Sequence, residues 1–174
     1  MSKAYISLGA NEGKRLENIQ EAVTRIQNKI GNLIALSSLY QTPSLGFDGP
    51  DFLNACIEID TSLNPLDVLD KLLDIERAMG REPSPEKGYQ SRPIDLDLLF
   101  YEEQIINTLD LILPHPRIAQ RNFVLYPLNE INPELVHPVL KKNIIDLLSI
   151  SPDKTKPKKS PLSDWSPAFF EKRE

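Results

Sequence analysis

The chain has 174 residues with 40% hydrophobic content, enough for one compact domain with a sizeable core. Its 25 acidic residues outnumber 20 basic ones, and the net charge of -5 excludes a general nucleic-acid binder, so any anionic ligand must meet a local basic cluster. The lone Cys56 excludes an internal disulfide and no apolar run reaches the length of a membrane span; the opening Met-Ser-Lys-Ala-Tyr does not read as a signal peptide, and a cytoplasmic protein is expected.

Residues 4–8 are expected to form an opening strand, followed by the loop Gly9-Ala-Asn-Glu-Gly13. That loop matches no phosphate-binding glycine pattern and reads as a plain connection. Leu16, Ile19, Val23, Ile26 and Ile30 then recur at helical spacing, with Gly31 placed to end the helix. Residues 32–42 read as one strand and residues 43–50 as a turn-rich loop.

Residues 52–61 alternate, with Leu53, Ala55, Ile57 and Ile59 on one face and Phe52, Asn54, Cys56 and Glu58 on the other. An aromatic and an amide two apart at the start of a strand suit a flat heterocycle, stacked and hydrogen-bonded at its edge. The competing reading is an aromatic packed under the loop and an Asn satisfied by a turn. Asn64-Pro65-Leu66-Asp67 has the form of a helix start. Leu66, Leu69, Leu72 and Leu73 form its expected inward stripe, Glu76 falls on that stripe, and Gly80 ends the helix. A carboxylate so placed needs a cation, a ligand or a proton, or else a salt bridge to Arg77 or Arg81. Residues 81–91 lack any period and read as a long loop of the kind that serves as a lid.

The central stretch is residues 88–101. Ile94, Leu96, Leu98 and Phe100 alternate with Asp95 and Asp97, the signature of a half-buried strand with both aspartates on one face. Their Cα atoms would lie roughly 6.6 Å apart, a separation from which both carboxylates converge on one ion or ion pair. Oxygen ligands without Cys or His favour Mg²⁺, which completes its shell with water and substrate phosphate. Arg92 adds a planar donor fork suited to phosphate. The alternative is an ordinary strand with two solvent-facing aspartates.

Short strands are expected at residues 105–107 and 111–113, closed by Pro114-His115-Pro116. Arg117 and Arg121 share a face if a turn of helix forms there. Residues 123–130 and 144–150 look helical, joined through 135–139. From Ser151 the chain becomes rich in lysine and proline, an extended tail over 151–174 beyond a domain of residues 1–150. Trp165, Phe169 and Phe170 either dock on the domain or bind a partner.

Several segments taken together carry a resemblance: Ile6-Ser-Leu-Gly-Ala-Asn11, Ser38-Leu-Tyr40-Gln-Thr-Pro43 with Leu45-Gly46, Arg92-Pro-Ile-Asp-Leu-Asp-Leu-Leu, Pro114-His115-Pro116, and Arg121-Asn-Phe123-Val-Leu-Tyr-Pro-Leu. In order and spacing they resemble the 6-hydroxymethyl-7,8-dihydropterin pyrophosphokinases of folate biosynthesis, over roughly residues 2–150. The resemblance implies a ferredoxin-like α+β sandwich, with a mainly antiparallel sheet and helices packed on it. It also implies transfer of diphosphate from ATP to the pterin hydroxymethyl group, with AMP released, by a monomer needing neither nucleic acid nor membrane.

Residue by residue, it assigns Asp95 and Asp97 to two Mg²⁺ ions. Phe52 and Phe123 are assigned to stacking on the pterin and Asn54 to its edge, with Thr42, Pro43, Leu45, Gly46 and Tyr89 on the pterin side. Glu76, Arg81, Arg92, Leu98, His115 and Arg121 are assigned to ATP, with Arg81 and Arg92 joining the aspartates in catalysis. Three departures stand out: Tyr89-Gln-Ser-Arg92 replaces the frequent Trp-Gly-Pro-Arg, Pro83 stands near a frequent second arginine, and Asp110 stands where some relatives have one. They imply altered ATP affinity or lid closure with the same reaction. Residues 9–14, 43–51 and 81–91 are expected to close over the substrates.

Two other classes compete. A non-catalytic binder is favoured by Pro83 and Asp110 but has no use for paired aspartates. A metal-dependent phosphohydrolase leaves the aromatic pair unexplained.

Overall fold

The computed structural model describes residues 1–43, 51–80, 93–160, 165–167 and 170. The opening strand is the hub of its sheet: β1 (Ser2–Ala10) pairs on one side with β4 (Phe52–Thr61) and on the other with β5 (Asp95–Tyr101). The far edge of β4 is shared by β2 (Gly31–Leu36), along its C-terminal half, and β3 (Leu39–Thr42), along its N-terminal end. Beyond β3 lies β10 (Lys158–Ser160), and every pairing is antiparallel. Two small ladders stand apart, β6 (Ile106–Asn107) with β7 (Ile112–Leu113) and β8 (Val136–His137) with β9 (Lys142–Asn143).

Helices cover both faces of the sheet, giving the α+β architecture. Val23 and Ile26 of α1 (Arg15–Lys29) and Val68, Leu72 and Ile75 of α2 (Pro65–Ala78) are buried with Ile6, Leu8, Ile57, Leu96 and Leu98. On the other face, Val124, Leu125 and Leu128 of α3 (Asn122–Ile131) and Leu147 of α4 (Ile144–Ile150) are buried with Tyr5, Cys56, Leu99 and Phe100. Both alternating faces of β4 are therefore interior, which is why Cys56 and Glu58 are buried along with Ile57. Asn64 caps α2 by accepting from the Asp67 amide at 2.9 Å, and Gly80 beyond its end has φ +93°, the left-handed conformation glycine adopts freely.

Four expectations are corrected. The strand anticipated over residues 32–42 is two strands, because Ser37 accepts from the Cys56 amide with its own hydroxyl at 2.9 Å and so replaces a backbone rung. Gly31 opens β2 instead of ending α1; a Cβ there would sit 2.2 Å from the Asp60 carbonyl oxygen, so close approach of β4 demands it. The inward face of α2 is Val68, Leu72, Ile75 and Glu76, while Leu66 and Leu73 are exposed. In β5 the register slips opposite Tyr5 and Ile6, so Leu99 is the extra residue of a bulge and Phe100 turns to the face that carries the aspartates. There Phe100 meets Tyr5 edge to face at 6.1 Å.

The lysine-rich segment after α4 runs without regular structure over residues 151–157 and then joins the sheet as β10. Farther on, Trp165 donates to the Ser37 carbonyl at 2.6 Å and Phe170 is buried against it. Among the described residues no helix is long and apolar enough to cross a membrane.

Candidate active site

Side chains of residues paired across neighbouring strands point to the same face. Asp95 lies opposite Gly9, Gly9 opposite Asn54 and Asn54 opposite Tyr40, so one row crosses β5, β1, β4 and β3. The next row runs Asp97, Ser7, Cys56. Both aspartates are half-buried on this one face. Gly9, expected in a plain loop, is in the strand: a Cβ there would come within 3.0 Å of Asn54 Oδ1 and 3.9 Å of the Phe52 ring, so its hydrogen keeps that space open.

Asn54 is buried and donates to Thr42 Oγ1 at 2.9 Å, and Thr42 pairs in register with Phe52. A strand partner, not a turn, therefore satisfies this amide. Burial, with the Asp97 charge added, pushes the Cys56 thiol well above its ordinary value and keeps it protonated, which removes it as a nucleophile.

Glu76 is buried, as its place on the helix required, and accepts from the Leu96 amide of β5 at 2.8 Å. The alternative partner Arg77 instead meets Asp74 at 2.9 Å on the exposed side of α2. Leu69 and Leu73, expected in the core stripe, line a cavity beside Glu76.

His115 follows the cis Leu113–Pro114 bond and is anchored by donating its backbone N–H to the Leu99 carbonyl at 2.9 Å. Its Nδ1 accepts from the Arg117 amide at 3.2 Å, so the neutral ring carries its proton on Nε2. Burial first, then the Arg121 charge, outweigh the opposing pull of Asp95, and with Arg117 they lower its pKa to about 4. The imidazole is thus an uncharged donor. Arg117 and Arg121 flank the short turn Ile118–Gln120, and the Arg121 guanidinium stands 5.5 Å from the centre of the Phe123 ring.

Two adjoining cavities gather these groups. The larger, about 690 Å³, is lined by Glu76, Asp95, Asp97, Leu98, His115 and Arg121, with Leu69, Leu73 and Ile112 as an apolar wall and Asp110 also on its lining. The smaller, about 340 Å³, is lined by Thr42, Pro43 and Phe123, and shares Arg117 and Arg121 with the first. Phe52 and Asn54 stand beside Thr42 through the strand pairing. Leu45, Gly46, Arg81, Tyr89 and Arg92 lie outside the described residues, as do Pro83, all but the end residues of the expected lid over 43–51, and the whole of that over 81–91.

The apolar wall from Leu69 and Leu73 escaped the sequence reading because their spacing also fits a core stripe. Pro152, Asp153 and Thr155, which line the smaller cavity, were hidden by the lysine-rich composition around them. Among the described residues no cluster of three or more His, Cys, Asp or Glu suits a metal ion; Asp95 and Asp97 form a pair of carboxylates on the lining of the larger cavity.

The fold resembles solved structures of Plasmodium falciparum HPPK-DHPS. One of them, a triple mutant, matches with a TM-score of 0.70 at 18% identity, over 85% of this chain and 44% of that one. The chain belongs to the 7,8-dihydro-6-hydroxymethylpterin-pyrophosphokinase (HPPK) family, whose model matches residues 5–133. Among its relatives, the 2-amino-4-hydroxy-6-hydroxymethyldihydropteridine pyrophosphokinase of Aquifex aeolicus is 34% identical over 82% of this chain and 88% of its own length. The Porphyromonas gingivalis protein of the same name is 39% identical over 79% of this chain and 95% of its own length. The folic acid synthesis protein fol1 of Pneumocystis carinii is 44% identical over 78% of this chain, but the chain spans only 18% of that protein.

Proposed function

We infer that this chain transfers a diphosphate group from ATP to the hydroxymethyl oxygen of 6-hydroxymethyl-7,8-dihydropterin, releasing AMP, a step of folate biosynthesis. Family membership supports the reaction. The observation that carries the site is the placement of Asp95 and Asp97 on one strand face, opening on a cavity with His115 and Arg121 that adjoins a second cavity holding Phe123.

The pterin hydroxyl attacks the β-phosphorus in line with the departing AMP oxygen; one P–O bond forms as the other breaks, and the hydroxyl proton passes to solvent water. No covalent enzyme intermediate is required. Positioning and charge compensation carry the catalysis. Asp95 and Asp97 fit Mg²⁺, since two adjacent carboxylates without thiolate or imidazole ligands suit a hard cation that fills its shell with phosphate and water. Asp95 and Asp97 would hold the two Mg²⁺ ions, whose charge would supply Lewis-acid stabilisation of the phosphate groups.

Arg121 and the Nε2–H of His115 donate to phosphate oxygens, and the wall of Leu69, Leu73 and Ile112 receives the base. Phe52 and Phe123 hold the pterin ring by its faces and Asn54 reads its edge. Arg81, Arg92, Tyr89, Leu45 and Gly46 keep the roles that the resemblance assigns. On the same reading the protein works as a cytoplasmic monomer.

Incubation with Mg²⁺, ATP and hydroxymethyl-dihydropterin is expected to yield AMP only when the pterin is present. ADP or phosphate formed without pterin would instead indicate a hydrolase, and no turnover of any kind a binder. Asp97→Ala is expected to lower AMP formation by at least about a hundredfold with the melting temperature retained, because it removes charge compensation and not packing.

A further inference from the structure

The segment that follows α4 is bound across one side of the smaller cavity. Along it Asp153, Thr155 and Pro157 turn inward while Lys154 and Lys156 are exposed, an alternation of period two within a composition that suggests an unstructured tail. Asp153 accepts from the Asn122 amide at 2.9 Å and from the Thr155 amide at 2.8 Å. Asn122 in turn donates its side-chain amide to the carbonyls of Asp153, at 3.1 Å, and Thr155, at 2.8 Å.

Asn122 is the first residue of α3 and immediately precedes Phe123. A few residues later Lys158, Lys159 and Ser160 pair with Gln41, Tyr40 and Leu39, and Lys159 meets Glu130 of α3 at 3.3 Å. The strand β3 ends at Thr42, which holds Asn54. One segment is thus fastened both to the start of α3, beside Phe123, and to β3, which carries Thr42. Pro152, Asp153 and Thr155, at the first of these anchorages, line the same cavity. Burial opposes the charge on Asp153, but the amide bonds from Asn122 and Thr155 outweigh it and hold the carboxyl below its usual range.

We propose that residues 152–160 are a positioning strap for the pterin-side cavity, in which Asp153, acting through Asn122, fixes the attitude of the Phe123 ring against which the pterin stacks. The inference rests on the proposed function and adds to it a wall and a positioning residue. The strap makes no bond to the reacting atoms. Its effect is on the placement of a stacking face, which is felt as pterin affinity and not as the rate of diphosphate transfer.

Asp153→Ala in the full chain is expected to raise the KM for hydroxymethyl-dihydropterin about tenfold, the scale of one lost charge-assisted hydrogen bond, with kcat and the KM for ATP within about twofold of the parent. Asp153→Asn retains one oxygen for the Asn122 amide and is expected to bring the pterin KM back to within about threefold of the parent. In the unmodified chain, amide hydrogen exchange over residues 152–160 is expected to slow when pterin and a nonhydrolysable ATP analogue are added together, a readout that does not depend on either variant folding. A folded, active Asp153→Ala chain with unchanged pterin KM would overturn the strap, as would equal rises in both KM values or exchange indifferent to the ligands. A parent chain that forms no AMP would overturn the proposed function along with it.

Discussion

His137, which lines neither of these cavities, shows how a single side chain can set a pH dependence. Its Nδ1 accepts from the amides of Val139 and Leu140 at 3.2 and 3.1 Å, and its ring meets Phe100 edge to face at 5.8 Å. Protonation at Nδ1 would break both bonds, and burial lowers the pKa from its ordinary value. The unfolded chain therefore takes up the proton first as the solution is acidified, and stability falls as pH drops below about 6.5. His115, lowered to about 4, adds to the same slope. The carboxyls of Glu130 and Asp153, held below their usual range, lose their contribution only at lower pH, as they become protonated. Urea unfolding at pH 7.5 and pH 5 is expected to show lower stability at pH 5. His137→Asn keeps an acceptor oxygen without a titrating ring and should flatten part of that difference; an unaltered difference would count against this assignment. At this scale the sequence was informative wherever a side chain's need was local. Glu76 had to find a donor because of its place on the helix, whereas the identity of that donor, the Leu96 amide, required β5 to be brought alongside α2.

At the scale of elements, strand pairing decides what periodicity leaves open. The alternation around Asp95 and Asp97 placed both on one face, and the register confirms it. The same alternation put Phe100 with Leu98, and the bulge at Leu99 reversed that. A bulge inserts one residue into a ladder, and the run Leu98-Leu99-Phe100 carries no glycine to signal it. Gly31 was legible as a glycine needed near a helix end, but its reason is steric crowding from β4. Gly31→Ala would push a Cβ to 2.2 Å from the Asp60 carbonyl oxygen, and separation of β2 from β4 is expected to cost about 2 kcal/mol or more, measured by urea unfolding. A loss below about 0.5 kcal/mol, typical of surface changes, would show that the strands move apart easily.

For the whole molecule, the question is how far the last part of the chain belongs to the fold. Phe170 is 1% exposed and belongs to the same buried cluster as Ile6 and Ile57, with Trp165 edge-on at 5.5 Å. Phe170→Ala is expected to lower stability by about 3 kcal/mol, the cost of removing a buried ring. Calorimetric melting would check it, and an unmoved transition would return these residues to the surface. The spacing of apolar residues, the Asn64 cap, the paired aspartates and the motif series from Ile6 to Leu128 were determined by the sequence alone. Each of these depends on helix or strand geometry over a few neighbouring residues, or on the order of residues along the chain. Only the tertiary structure decided that both sheet faces are covered, that Gly9 opens a space between Asn54 and Asp95, and that a lysine-rich segment becomes an edge strand. Those outcomes come from pairings between residues dozens of positions apart, where burial and backbone hydrogen bonding override local composition.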